Sequence, residues 1–141
     1  MTKVFWDAML FIYLFQGDPT FGPRVAELRK KSLERGDELY TSALAVGEVL
    51  AGAYRDKTEA EAARIRIAIV KAGVRILPFD GNALDVFART RAKHKTTAAD
   101  TIHLACAAVA GIDLFLTNDR QLRKLHIPGI KFIAGLDTNL L

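Results

Sequence analysis

Short apolar runs alternate along the chain with longer segments in which apolar residues recur every three or four positions. The runs predict strands, and the longer segments predict helices. Predicted strands cover residues 3–6, 39–41, 74–77, 112–116 and 130–133. Because these strands are continuously apolar rather than alternating, they predict a mostly parallel central sheet covered by helices on both faces, an α/β three-layer α/β/α sandwich. The sequence contains no repeat or linker, so we expect one domain over residues 1–141.

For two of the predicted helices, the spacing of the apolar residues predicts which side chains are buried. The first runs to Lys93 with Leu84, Phe87 and Ala88 inside. The second begins at a Thr97 cap, with Asp100 in the capping-box position, and ends at Gly111. The spacing of its apolar residues predicts a buried stripe made of Ile102, Ala105, Cys106 and Val109. A strand and the turn Thr117-Asn118-Asp119 follow it.

Four acids occupy positions where a parallel sheet gathers ligands. Asp7 follows the first strand, Asp119 follows the fourth strand after a two-residue turn, and Asp100 lies in the first turn of the preceding helix. The carboxyl ends of parallel strands share one edge of a sheet, so we expect these acids at that edge, within reach of Glu48. Asp7 and Asp119 also suit simple helix N-caps, and Asp100 a favourable first-turn acid.

Glu48 is the only charged residue of the predicted helix 43–53, so we expect it to be buried. A buried carboxylate is costly, so we expect it to be neutralised, paired with a cation such as an arginine, or bound to a metal ion. Four acids without a dedicated basic partner in the sequence favour a hard divalent cation, Mg²⁺ or Mn²⁺. For His103, a hydrogen bond to a neighbouring ligand or a core position is favoured over a general-base role. Asp80 and Asp113 are interpreted as structural.

Composition adds few constraints. The 141 residues carry a formal net charge of +4, which permits a nucleic-acid partner without requiring one. Cys106 is the only cysteine, which excludes an internal disulfide and suggests a packing thiol in a reducing environment. No signal peptide is visible, and the longest apolar stretch, 8–15, is too short to span a membrane. We therefore expect a cytoplasmic protein.

These motifs, taken in order, resemble the PIN-domain ribonucleases, and among them the VapC-type toxins of VapBC toxin–antitoxin pairs. The likeness covers nearly the whole chain. It rests on Asp7 after the first strand, the SxLxxxE pattern of Ser42, Leu44 and Glu48, the DxxHLACA helix that Asp100 opens, and the turn Leu116-Thr117-Asn118-Asp119. The acidic quartet of the family falls on Asp7, Glu48, Asp100 and Asp119. One departure is that Ala8 and Met9 follow the first acid, where the family has a small hydroxyl residue, often followed by Asn.

The resemblance implies hydrolysis of RNA phosphodiester bonds by an endoribonuclease that depends on Mg²⁺ or Mn²⁺. It also implies an antitoxin protein as partner and a homodimer. Thr117 and Asn118 are expected to support the acids through hydrogen bonds. Basic residues near the two acidic turns are candidates for RNA binding or for solvated surface charge: Lys93, His94, Lys95, Arg120, Arg123 and Lys124.

Two other functions stay open at this point. A receiver-like domain would use clustered acids and Mg²⁺ to accept a phosphoryl group. It fits poorly, because Asp7 stands alone after the first strand and Lys131 lies within the last strand instead of following it. A catalytically weak member of the family would bind RNA or a protein without cutting. The replacement of the hydroxyl residue by Ala8 keeps that alternative open, because a lost hydrogen bond beside a metal ligand lowers activity.

Overall fold

A five-stranded parallel sheet forms the centre of the molecule. The structure is a computed structural model that describes residues 2–141. Within this range the strands are β1 (Lys3–Trp6), β2 (Glu38–Ser42), β3 (Arg75–Leu77), β4 (Leu114–Leu116) and β5 (Phe132–Ala134). Their order across the sheet is β3-β2-β1-β4-β5, and every neighbouring pair is parallel. The predicted parallel sheet is confirmed.

Helices connect the strands and cover both faces of the sheet. The described residues form α1 (Ala8–Phe15), α2 (Gly22–Arg35), α3 (Ala43–Asp56), α4 (Glu59–Lys71), α5 (Leu84–Lys93), α6 (Ala98–Ala110) and α7 (Arg120–Arg123), with a short 3₁₀ helix at Gly81–Ala83. The predicted cap at Thr97 is confirmed, and Ser42 and Thr58 cap α3 and α4 in the same way, since each side chain accepts a hydrogen bond from the first turn of its helix. In residues 2–141, no helix has both the length and the hydropathy needed to cross a membrane.

Two apolar cores lie on opposite faces of the sheet because successive side chains of a strand point to opposite sides. Val4 and Trp6 of β1 join residues of α1 to α4 in one core. Phe5, between them, joins Leu104 of α6 and Phe115 of β4 in the other core, where the two phenyl rings stack with centroids 4.7 Å apart. This alternation confirms the three-layer α/β/α sandwich.

The predicted buried faces of α5 and α6 are partly wrong. Leu84 is 57% exposed, Ala88 is exposed, and Thr90 is the buried residue of α5. The reason is that α5 packs chiefly against α6 and not on the sheet, so that only a narrow face is covered. Val109 is 48% exposed, because α6 lies between the sheet and α5 and buries most of the run from Thr101 to Ala108 instead of one stripe.

Candidate active site

The candidate site lies at the carboxyl edge of the two central strands. Trp6 of β1 is paired with Leu116 of β4, so the residues that follow, Asp7 and Thr117, are also neighbours. The Asp7 N–H donates to the Leu116 carbonyl at 3.2 Å, which extends the pairing one step past the strand ends. The parallel order of the strands therefore brings together two residues that are 110 positions apart in the chain.

Asp7 is a buried carboxylate that caps a helix. Its Oδ1 accepts the Met9 N–H at 3.1 Å, so the predicted N-cap role is confirmed. The residue is only 9% exposed, and this burial raises the pKa of the Asp7 carboxyl because the charged form loses hydration. A hydrogen bond with Thr117, the charge interaction with His103 and the backbone N–H groups of α1 lower the same pKa and only partly offset the burial.

Thr117 connects two of the acids. It is completely buried, and its Oγ1 accepts the Asp119 N–H at 3.1 Å while its hydroxyl hydrogen bonds with the Asp7 carboxylate. The next residue, Asn118, donates from Nδ2 to the Tyr13 hydroxyl at 3.1 Å and so ties the turn to α1. Among the described residues, Thr117 thus bonds to two of the acids, whereas the side chain of Asn118 bonds to Tyr13 and to none of them.

Glu48 differs from its prediction. Its side chain is 42% exposed, and its Oε1 lies 2.9 Å from Nε2 of His103. The expectations that Glu48 is buried and that the acids have no dedicated basic partner are both wrong. The physical reason is that Glu48 lies on the exposed side of α3, whereas Val46 and Val49 take the buried positions of the same helix.

His103 is the buried centre of a polar network. It is 4% exposed, and its Nδ1 lies 2.6 Å from Oγ of Ser42, the last residue of β2. An ionised carboxylate can only accept hydrogen bonds. His103 therefore donates its Nε2–H to Glu48, whether the ring is neutral with its proton on Nε2 or protonated on both nitrogens. The two alternatives favoured for His103, a hydrogen bond to a neighbouring residue of the acidic set and a core position, are thus both present. His103 therefore links α6, α3 and the end of β2.

Ser42, His103 and Glu48 have the composition of a nucleophilic triad, but the burial of Ser42 excludes that chemistry. Ser42 is completely buried, and its Oγ accepts the Ala45 N–H at 2.9 Å as the cap of α3. A nucleophile must reach its substrate, and this hydroxyl has no access to solvent. The hydrogen bonds therefore fix the orientation of these side chains, and the Ser42 hydroxyl does not act as a nucleophile.

Asp100 and Asp119 complete the acidic edge. Asp100 is half-buried in the first turn of α6, one turn before His103, and its N–H donates to the Thr97 hydroxyl at 3.1 Å. No hydrogen bond or ion pair to its carboxylate is found within residues 2–141. Asp119 is exposed and caps α7, with its Oδ1 accepting the Gln121 N–H at 2.8 Å. The predicted cap at Asp119 is thus confirmed.

The donor set suits a hard cation, although the acids are spread along the edge. In the part of the chain that the structure describes, no three His, Cys, Asp or Glu side chains are grouped closely enough to enclose a metal ion. Mg²⁺ does not need such an enclosure, since it keeps several waters and commonly takes one or two carboxylates together with substrate phosphates. Asp7 fits this mode of binding, in which Mg²⁺ keeps several waters, because its carboxylate is buried next to hydrogen-bond donors.

The predicted basic residues adjoin the acidic edge in two segments. Lys93, His94 and Lys95 lie at the end of α5 and in the turn before Thr97. Arg120, Arg123 and Lys124 lie in and just after α7, which Asp119 caps. Arg123 differs from the other five because its guanidinium is bound to Asp137 at 2.8 Å.

Three residues set aside as structural have structural contacts. Oδ1 of Asp80 caps the 3₁₀ helix through the Asn82 N–H. Asp113 accepts the Lys3 N–H at 2.9 Å and pairs with Lys131 at 3.2 Å. The Cys106 thiol donates to the Pro78 carbonyl, and burial raises its pKa to about 11, so this thiol is unreactive near neutral pH.

Comparison with known proteins identifies the family. The sequence model of the PIN domain matches residues 4–127. The chain belongs to the PIN domain family. No curated protein sequence matches it. PIN nucleases generally use divalent metal ions.

Similar folds occur in solved structures from several bacteria. A DNA-bound VapBC from Salmonella typhimurium matches with a TM-score of 0.75 at 18% identity, covering 96% of this chain and 99% of that one. VapBC2 from Rickettsia felis, bound to a promoter DNA fragment, matches with a TM-score of 0.71 at 13% identity over 95% and 98% of the chains. VapC20 from Mycobacterium tuberculosis, a Sarcin-Ricin loop cleaving toxin, matches with a TM-score of 0.63 at 14% identity over 79% and 86%. At these identities the likeness establishes the fold.

Proposed function

We propose that this PIN domain is an endoribonuclease that depends on Mg²⁺ or Mn²⁺ and hydrolyses RNA phosphodiester bonds in the cytoplasm. The observation that carries the proposal is Asp7, a carboxylate buried at the carboxyl end of β1 without a cationic side chain bonded to it among residues 2–141. A burial that raises the pKa of an acid costs stability, and a divalent ion bound to that acid would offset the cost.

The four acids receive different tasks in this proposal. Asp7, Glu48, Asp100 and Asp119 hold the ion together with water and the scissile phosphate. Asp7 and Asp100 are the primary ligands, because Asp7 is buried and the Asp100 carboxylate has no bonded partner among residues 2–141, whereas Glu48 already accepts from His103 and Asp119 is exposed to solvent. A bound divalent ion lowers the pKa of its water and stabilises negative charge on the phosphate. His103 and Thr117 hold Glu48 and Asp7 in position, and the two basic segments attract the RNA backbone.

The biological role we propose is that of a toxin controlled by an antitoxin, acting as a homodimer. Support comes from the similar structures, which are VapBC complexes and a toxin–antitoxin complex from Klebsiella pneumoniae. The test is to co-express the chain with the small protein encoded by the neighbouring reading frame. We expect the two to co-purify and RNA cleavage to stop. Separate elution of the two proteins with unchanged cleavage would contradict this role.

The nuclease activity is tested with a panel of labelled structured and single-stranded RNAs. We expect cleavage with Mg²⁺ or Mn²⁺, none after EDTA, and recovery when the ion is added back. Asp7→Asn protein purified in parallel controls for contaminating nucleases, because a contaminant would cut in both samples. A folded, metal-loaded protein that leaves the whole panel intact would contradict the proposal.

A catalytically weak module that binds RNA or protein is the second candidate. Two observations favour it, the wide spacing of the acids and Ala8 in place of a hydroxyl residue. Binding of RNA without cleavage at any ion concentration would support it. The receiver-like alternative loses its basis, because receivers order their strands β2-β1-β3-β4-β5, whereas this sheet follows β3-β2-β1-β4-β5.

A further inference from the structure

A cleft opens beside the acidic edge, on the far side of the Thr117-Asn118-Asp119 turn. Its volume is about 350 Å³, and its polar and aromatic lining consists of Thr20, Phe21, Arg24, Asn118, Arg123 and Asp137. Asn118 belongs both to this lining and to the turn that ends in Asp119. A chain bound across Asp119 would therefore continue directly into the cleft.

The guanidinium of Arg123 is held in one place within this cleft. Its Nη2 donates to Asp137 at 2.8 Å, and the side chain is 33% exposed. A Cβ on Gly135 would lie 2.5 Å from Cζ, 2.6 Å from Nη1 and 2.8 Å from Nε of Arg123. Since these distances are nearly equal, the flat face of the guanidinium rests on the Gly135 backbone. The N–H groups at the edge of the guanidinium therefore point parallel to that backbone surface. A side chain on residue 135 would displace the guanidinium, so this arrangement requires a glycine there.

The segment that carries Asp137 is also held in place. Arg24 of α2 donates from Nε to the Leu136 carbonyl at 2.6 Å and from Nη2 to the Thr138 carbonyl at 2.8 Å. These two bonds bracket Asp137 and fix the segment that carries it. The cleft is thus preformed, which lowers the entropy cost of binding a ligand there.

The polar groups in the cleft match the edge of a nucleobase better than a phosphate. Asn118 uses Nδ2 for the Tyr13 hydroxyl, which leaves its amide oxygen as an acceptor in the cleft that Arg123 also lines. Asp137 adds a negatively charged acceptor that would repel a phosphate but accepts base N–H groups. Phe21 supplies an aromatic ring at the same place. Proteins recognise single-stranded RNA through this combination of aromatic or guanidinium faces and polar edges.

We propose that the cleft binds a nucleobase of the RNA strand next to the scissile phosphate, with Arg123 as its main donor and Gly135 as the residue that makes room for it. The proposal rests on the proposed ribonuclease function and adds a base-binding subsite to it.

The test uses Gly135→Ala, which displaces the guanidinium without removing any charge. Binding of short single-stranded RNAs, one for each of the four bases, is measured by fluorescence anisotropy in EDTA with Asp7→Asn protein, so that nothing is cut. We expect the best-bound RNA to lose affinity by about tenfold in both Gly135→Ala and Arg123→Gln. Gly81→Ala, at a glycine with open space around it, and Arg64→Gln, which removes one charge from α4, should leave affinity unchanged.

Cleavage by the protein with Asp7 intact gives a second readout. Gly135→Ala should raise KM for the preferred RNA by about tenfold and change kcat by less than about threefold, because the subsite binds and does not react. If the unmodified chain binds RNA in a Gly135-dependent way but cuts none, the ribonuclease proposal fails and the subsite stands. If it cuts RNA and both variants bind and cut as before, the subsite proposal fails alone.

Discussion

Asp7 and Asp113 lie on neighbouring strands at opposite edges of the same sheet, and their surroundings differ in one decisive respect. Asp113 immediately precedes β4 at the amino edge, where it accepts the Lys3 N–H and pairs with Lys131. The hydrogen bond from Lys3 is the main reason why the pKa of Asp113 is lowered. Asp7 follows β1 at the carboxyl edge, and burial raises its pKa.

This difference separates an acid that the fold satisfies from an acid that the fold leaves in need of a cation. The ionised form of Asp113 is stabilised by its neighbours, so the carboxylate belongs to the structure. The ionised form of Asp7 is opposed by desolvation, which its hydrogen bonds as a helix cap only partly offset and which a bound cation would offset further. Pairing with basic groups, and not the acid itself, thus distinguishes the structural carboxylate of Asp113 from Asp7, the proposed metal ligand.

The largest expected effect is a loss of RNA cleavage when Asp7, but not Asp113, is replaced by asparagine. Asp7→Asn should reduce RNA cleavage by at least about 100-fold, since it removes a proposed ligand. It should also raise the melting temperature in EDTA near neutral pH, because asparagine caps a helix equally well and carries no buried charge. Asp113→Asn should keep cleavage within about threefold and lower stability by about 1–2 kcal/mol. Cleavage assays and thermal melts of both variants test this difference. The opposite result, in which Asp113→Asn abolishes cleavage and Asp7→Asn only destabilises the fold, would contradict it.

Elements with strong local signals were predictable from sequence. Asp7, Ser42, Thr58 and Thr97 were recognisable as caps because a cap depends on residues within the same turn. Strand ends shifted by one or two residues, as at β4, which begins at Leu114 and not at residue 112. Strand limits depend on the neighbouring strand, which local patterns do not contain.

Contacts between distant segments were harder to predict. The exposure of Glu48 and its bond to His103 join α3 to α6 across 55 positions, and no local spacing encodes that contact. The same holds for Asn118 and Tyr13, which are 105 positions apart. The order of the strands was nevertheless enough to gather Asp7 and Thr117, because parallel strands end at a common edge.

His103 offers a way to sharpen the comparison, since it interacts with Asp7 through its charge and with Glu48 through a hydrogen bond. His103→Leu should weaken Mn²⁺ affinity by about tenfold, as the loss of a partner that orients a ligand commonly does. His103→Gln, whose amide can still donate to Glu48, should recover part of it. Calorimetric titration of the metal-free protein measures both affinities.

Glu48→Gln is the control for this prediction. If that variant binds Mn²⁺ as the unmodified chain does, Glu48 serves only as the structural partner of His103, and the weakening in His103→Leu then arises through Asp7.

The pH dependence of stability should have opposite signs for the two aspartates. For Asp7 the folded pKa is above the ordinary aspartate value of 3.8, so its contribution to the free energy of unfolding decreases as pH rises from that value through the folded pKa. For Asp113 the folded pKa is below 3.8, so its contribution is present above that value and is lost as pH falls through the folded pKa. Melts of the metal-free protein should show that the advantage of Asp7→Asn grows as pH rises above 3.8. An advantage that is independent of pH would mean that ionisation of Asp7 is not its source.

The smallest effect is expected at Ala8, where the chain departs from the usual hydroxyl residue. Asp7 already accepts the Met9 N–H and hydrogen bonds with the completely buried Thr117 hydroxyl, so its orientation does not depend on residue 8. Ala8→Ser should therefore change RNA cleavage by less than about threefold, whereas Thr117→Val, which removes the hydroxyl that is present, should lower it by about 10-fold or more. Cleavage rates of the two variants at saturating Mg²⁺ make the comparison. Strong activation by Ala8→Ser would mean that Thr117 does not replace the missing hydroxyl, and that the natural chain is a weakened nuclease.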